Sequence, residues 1–170
     1  MRRTGDIIPD FKFNTLDGEG WHSRGRISGY FALLTIYRGK WCPYCKAQLQ
    51  ALDALHASFL DVGVSPVAVS ADTRARAETS QRDYGLENLQ LGYEMPIEPA
   101  RQLGVFISAG INDREMPLFC EPASFLIAPG NRIQAAWIAS NAFARTRMDE
   151  VRAYIDFLND HPDRAPRGGD

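Results

Sequence analysis

Two cysteines three positions apart, Cys42 and Cys45, lie in the run Tyr37-Arg38-Gly39-Lys40-Trp41-Cys42-Pro43-Tyr44-Cys45. When the second half of such a turn is helical, the sulfurs come within bonding reach, and the pair can cycle between dithiol and disulfide. Only a thiolate attacks a disulfide or a peroxide, so the site must hold a thiol pKa below the free value of about 8.5. The sequence offers two means to do so. Pro43 suits the first turn of a helix, whose unpaired amide donors and dipole favour an anion. Arg38, Lys40 and Lys46 place positive charge nearby. Trp41 and Tyr44 are expected to shape the rim and the surface met by a partner.

Paired cysteines also hold zinc, but a tetrahedral site needs four ligands, and only Cys120 and the scattered His22, His56 and His161 remain. No metal is expected. Buried cysteines can be inert core, yet the tight turn, the Trp41 shoulder and the basic neighbours point to a partly exposed thiol.

The surrounding elements must position this turn. Tyr30 to Tyr37 is a continuous apolar run with polar residues at both ends, which reads as a strand buried on both faces. From Pro43 onward Leu49, Leu52, Leu55 with His56, and Phe59 recur at helical spacing, and Asp61 and Gly63 close that helix. Val64 to Ser70 is a second buried strand, irregular or at an edge in its first half because of Pro66. Asp72 can cap a helix over 73–84, which Gly85 ends in the left-handed region. Leu89 to Gly92 reads as a short strand, Glu98 to Leu103 as a short helix, and Phe106 to Cys120 as a loop or excursion beside the site. Phe125 to Ala128, the turn Pro129-Gly130-Asn131, and Ile133 to Ile138 form an antiparallel hairpin, and Met148 to Leu158 a closing helix. Phe11 and Phe13 with Asp17-Gly18 and Gly20 suggest an N-terminal hairpin ending near Trp21. This order gives an α/β sheet flanked by helices, with the first crossover parallel and the CxxC turn at the carboxyl edge of the first buried strand. One domain over residues 1–160 is expected. Residues 161–170, with two prolines and two glycines among charges, are expected to form a disordered tail.

At 170 residues and a formal net charge of -2, the composition is that of an ordinary globular domain. No basic stretch is long enough to track phosphates, so no nucleic-acid partner is expected. The longest apolar run is far short of the roughly 20 residues of a membrane span. Asp6, Pro9 and Asp10 stand where a secretory signal would have its apolar core, and the chain is read as cytoplasmic.

The CxxC run with the Leu49, Leu52 helix resembles the peroxiredoxin-like branch of the alkyl hydroperoxide reductase/thiol-specific antioxidant (AhpC/TSA) family. The resemblance continues through PVAVSADTRARAETSQRDYGL to EPASFLIAPGNRI and covers most of residues 5–158. It implies a thioredoxin-like mixed sheet and an antioxidant thiol oxidoreductase without metal, flavin or nucleotide. Such an enzyme reduces protein disulfides or hydroperoxides with electrons from a thioredoxin-like or small-thiol donor. Dimers are common among the proteins it resembles. The other reading is a non-enzymatic redox sensor or binding module using the same pair.

The sequence departs from the family in specific places. Typical peroxiredoxins carry P-x-x-x-T-x-x-C, which lays Arg38 on the proline, Cys42 on the threonine and Cys45 on the peroxide-attacking cysteine. They also place an arginine before the late strand, where this chain has Glu121-Pro122-Ala123. Pro122 looks like thioredoxin's cis-proline. The missing threonine and arginine argue for slow peroxide reduction and ready disulfide exchange. Thioredoxin logic makes Cys42 the nucleophile and Cys45 the resolver, whereas peroxiredoxin spacing makes Cys45 the attacker of peroxide; for that step both stay open. Cys120, two positions before Pro122, would lie near the turn in a thioredoxin fold, either as a third redox thiol or as a small apolar filler. Arg38 is either part of the site's electrostatics or a surface charge.

Overall fold

The computed structural model describes residues 2–25 and 29–169. In chain order the elements are β1 (Lys12–Thr15), β2 (Trp21–His22), β3 (Phe31–Ile36), α1 (Pro43–Ala54), α2 (His56–Asp61), β4 (Val64–Val69) and α3 (Arg74–Tyr84). They continue with β5 (Gln90–Tyr93), α4 (Ile97–Gln102), β6 (Ile107–Ala109), β7 (Leu118–Cys120), β8 (Ala123–Ala128), β9 (Arg132–Ile138) and α5 (Met148–Asp160). Seven strands make one mixed sheet in the order β2-β1-β5-β4-β3-β8-β9.

The apolar run of β3 explains its central place. Leu33 belongs to one core cluster, with Leu49, Leu52, Phe59 and the Val151, Ile155 face of α5, while Leu34 and Ile36 belong to the other, with Phe13, Val67 and Phe125. The two-residue period therefore feeds both faces of the sheet. β3 pairs in parallel with β4, from Phe31 opposite Val64 to Ile36 opposite Val69, so α1 and α2 form the crossover and the CxxC turn leaves the carboxyl end of β3. Asn131 donates its N–H to the Ala128 carbonyl at 3.1 Å, and Gly130 has φ +82°. That is a type II turn, with Pro129 second and Gly130 third, and it joins β8 to β9 in the expected hairpin.

Several expectations are corrected. The first long helix is two, broken at Leu55, whose N–H still reaches Ala51 but whose backbone leaves the helical region. Asp72 does not cap α3; Thr73 is its first flanking residue, with no side-chain cap, because the Asp72 carboxylate is used elsewhere. The stretch expected as a loop from Phe106 to Cys120 contains the antiparallel ribbon β6–β7, with Ile107 opposite Cys120. Its strands are only three residues long, too short to show a period in sequence. Residues 161–169 hold neither helix nor strand, and Thr4 Oγ1 donates to the Arg167 carbonyl there at 2.6 Å. Among the described residues no helix is long and apolar enough to cross a membrane.

Candidate active site

Cys42 is the residue flanking the start of α1, with extended backbone (φ -91°, ψ 109°), and Pro43 occupies the first helical position. Cys45 lies one turn in, and its N–H donates to the Cys42 carbonyl at 3.0 Å. The two cysteines lie 3.0 Å apart and are unbonded. An S–S bond is about 2.05 Å long, so a small closure joins them.

The turn that leads to them is gripped from the core. The Lys40 N–H donates to Asp72 Oδ2 at 2.8 Å, and the Tyr84 hydroxyl donates to the Lys40 carbonyl. Asp72 is fully buried at the end of β4 and pairs through Oδ1 with Arg76 Nε at 2.8 Å. Burial raises its carboxyl pKa, and the Lys40 N–H and Arg76 oppose that rise. Arg76 also lies over the Trp41 ring, 5.4 Å from its centre, and Trp41 meets Phe119 of β7 edge to face at 5.1 Å. Trp41 is therefore a packed wall, and Tyr44, 46% exposed, is the rim residue. Gly39 is required beneath Trp41: its φ is +152°, and a Cβ there would stand 2.0 Å from the Trp41 ring.

The decisive cation is Arg145, in the segment between β9 and α5, a residue that no sequence pattern singles out. Its Nη2 donates to Cys42 Sγ at 3.3 Å and its Nη1 to Cys45 Sγ at 3.2 Å. Nη1 also reaches Gln48 Oε1 at 3.1 Å, and Nε donates to the Ala142 carbonyl at 2.8 Å. Gln48 Nε2 in turn donates to the Thr146 carbonyl at 3.2 Å, so α1 holds this segment on both sides of Arg145. Phe143 packs on Tyr44 with ring centres 4.6 Å apart. The segment covers the turn. Cys42 is 1% exposed and Cys45 fully buried, against the expectation of a partly exposed thiol.

Of the basic residues expected to supply charge, Arg38 is partly diverted. Its guanidinium pairs with Glu121 at 3.1 Å and lies over Phe119, while its backbone N–H donates to Cys45 Sγ at 3.3 Å. Lys46 lies over the Tyr84 ring, and Lys40 serves through its backbone. Pro122 does not carry a cis bond, since no cis peptide occurs among the described residues. Its carbonyl accepts from the Ala139 N–H at 2.9 Å, which ties the start of β8 to the end of β9 with an ordinary trans bond. Cys120 packs in the core cluster with Ile8, Leu34 and Phe125, whereas Cys42 and Cys45 belong to the opposite cluster. Burial pushes its thiol up to about 12. This is the filler reading.

The pair is electrostatically unequal. The Cys45 thiol donates to Cys42, and this hydrogen bond, followed by one from the Cys45 backbone and then by Arg145 and Arg38, lowers the Cys42 pKa to about 5 against the opposing effect of burial. Burial and the same hydrogen bond raise Cys45 well above the ordinary thiol value. Alkylation of the reduced protein by iodoacetamide, followed as a function of pH, is expected to show a midpoint near 5 at Cys42. The sign follows from the depressed pKa: thiolate is fully present above that midpoint, and reactivity falls as pH drops through it. A midpoint in the range of a free thiol, roughly 8.5, would contradict this electrostatic picture.

The AhpC/TSA family profile matches residues 4–136. This chain belongs to the AhpC/TSA family. Arg145 lies beyond the matched stretch. Among curated proteins, the thiol-disulfide oxidoreductase ResA of Oceanobacillus iheyensis is 34% identical over 73 residues, 41% of this chain and 38% of that protein's length. Among solved structures, a mutant of peroxiredoxin 6 of Arenicola marina superposes with a TM-score of 0.77 at 20% identity, covering 95% of this chain and 75% of that one. Peroxidoxin BcpB from Mycobacterium tuberculosis gives 0.75 at 19% identity, covering 93% and 99%. The fold is that of these peroxiredoxins.

Proposed function

We propose that the protein is a thiol peroxidase in which Cys42 attacks a hydroperoxide and Cys45 resolves the product. One observation carries this reading: a single guanidinium spans both sulfurs, with N–H groups 3.2 and 3.3 Å away. Preorganised donors of this kind stabilise the charge that develops on the leaving oxygen. On this reading Arg145, from another segment, does the work of the arginine missing before the late strand, and of the two sequence arguments for slow peroxide reduction only the missing threonine is left. Burial supports the same choice, because a hydroperoxide can enter where a folded protein's disulfide cannot reach a sulfur that is 1% exposed.

In the first step the Cys42 thiolate attacks the distal peroxide oxygen, the O–O bond breaks, and the leaving alkoxide or hydroxide takes a proton as alcohol or water. Cys42 becomes a sulfenic acid. Cys45, having lost its proton, then attacks the Cys42 sulfur and expels water, leaving the Cys42–Cys45 disulfide. An external thiol donor returns the pair to the dithiol.

Stopped-flow mixing of reduced protein with hydrogen peroxide, with the product identified by mass spectrometry, tests this reading. A second-order reaction yielding the intramolecular disulfide is expected. In Cys45→Ser the sulfenic acid has no internal partner, so a small thiol added after peroxide should be retained as a mixed disulfide on Cys42. An adduct in that variant that maps to Cys120, or no adduct at all, counts against the assignment. Should reduced protein react far faster with small disulfides than with peroxide, the enzyme is a disulfide reductase instead.

A further inference from the structure

A cavity of about 760 Å³ is lined by residues of β9 and α5 and by Arg145, whose guanidinium also reaches both sulfurs. Ligand pockets commonly measure about 300–1,000 Å³, so this space suits a small metabolite. Its floor mixes polar and aromatic groups: Ser124 and Gln134, 1% and 7% exposed, with the rings of Trp137 and Tyr154 meeting edge to face. Its rim is basic. Arg145 and Arg167 both line it; Arg147 does too, but pairs with Asp149 and with the rim's Glu150. Arg145 both lines the cavity and touches the two sulfurs, so its side chain joins the cavity to the site.

The peroxidase cycle leaves a neutral disulfide at the end of its oxidative half. In the reduced site Arg145 is held by an anionic sulfur; once the disulfide forms, that anion is gone, and the guanidinium keeps the neutral Gln48 Oε1 and Ala142 carbonyl but has lost its anionic partner. The cavity beside it is where one can be offered. We propose that this cavity binds the reductant as a low-molecular-weight thiol bearing carboxylates, held by Arg145 and Arg167. The inference rests on the dithiol/disulfide cycle proposed above. A carboxylate in the cavity draws Arg145 off the sulfurs and so uncovers them. The bound molecule's thiolate attacks the Cys42 sulfur, the Cys42–Cys45 bond breaks, and Cys45 leaves as a thiolate and takes up a proton. A second molecule's thiolate then attacks the mixed disulfide, releasing Cys42 as thiolate and a small-molecule disulfide that carries away the two electrons' worth of oxidation. Such a donor fits sulfurs that a protein thiol cannot approach.

The test uses the full chain, oxidised with one equivalent of peroxide and re-reduced by glutathione or 3-mercaptopropionate on one side and 2-mercaptoethanol or dithiothreitol on the other. Rates are compared at equal thiolate concentration. The carboxylated thiols are expected to react on the order of tenfold faster at low salt, the size of effect that one or two charge-assisted contacts give. That advantage should shrink as salt is raised. It should fall several-fold in Arg167→Gln and be largely retained in Arg167→Lys, which keeps the charge. Equal rates for the two classes, or an advantage indifferent to Arg167→Gln, overturns the proposal while leaving the peroxidase reading standing. Failure of every thiol, dithiothreitol included, to regenerate the dithiol overturns both.

Discussion

Cys42→Ser is expected to abolish peroxide turnover, with a loss of more than about a thousandfold, because the replacement removes the only thiol held near pH 5 and a serine hydroxyl forms no thiolate. Cys45 remains in that variant, but burial raises its pKa well above the usual range, and it loses the neighbour that it serves. Initial rates of peroxide consumption with dithiothreitol as donor check this result. Retention of even a tenth of the wild-type rate would transfer the attacking role to Cys45, the position that peroxiredoxin spacing favours.

Arg145→Met is expected to lower the second-order rate with peroxide about a hundredfold or more, the usual cost of losing a preorganised donor at a developing charge. The same change should move the Cys42 alkylation midpoint upward, since the guanidinium is one of the groups that hold it near 5. A merely structural role would slow the reaction without shifting that midpoint. Arg145→Lys separates charge from geometry, for an ammonium cannot span two sulfurs as the planar fork does. It should recover part of the midpoint shift and less of the rate. A full rate in Arg145→Met would leave the contacts to Cys42 and Cys45 without catalytic meaning.

What the chain reveals on its own is whatever depends on neighbours in sequence. The CxxC spacing, the helix that begins at Pro43, the doubly buried run from Phe31 to Ile36 and the Pro129-Gly130-Asn131 turn each carry their own local physical cause. Arg145 carries none. It sits 100 residues from Cys45 in a segment without helical or strand period, and only the return of β9 and the docking of α5 bring it over the sulfurs. A single arginine among the many exposed ones offers no pattern to detect. Asp72 misleads for a related reason: an aspartate just ahead of a helical run looks like a cap, and the competing demand from the Lys40 N–H comes from a different element. Likeness to thioredoxin puts Cys120 and Pro122 beside the turn, but the antiparallel β6–β7 ribbon carries Cys120 to the far side of the sheet, and the bond before Pro122 is trans.

The two-handed grip on the Lys40 peptide divides the site into unlike halves. Its N–H is held by Asp72 and its carbonyl by Tyr84, two buried or half-buried side chains from opposite ends of the same β4–α3 passage. The strip of backbone that delivers the nucleophile is therefore anchored to the interior as firmly as a strand would be. The strip that delivers the guanidinium is fastened mainly by side chains: Arg145 itself, Gln48, the packing of Ala142 on the core and the contact of Phe143 with Tyr44. Under the reductant-binding proposal, small molecules would be admitted and dismissed by moving the cation while the sulfur stays still. Its aim is thereby preserved from one cycle to the next.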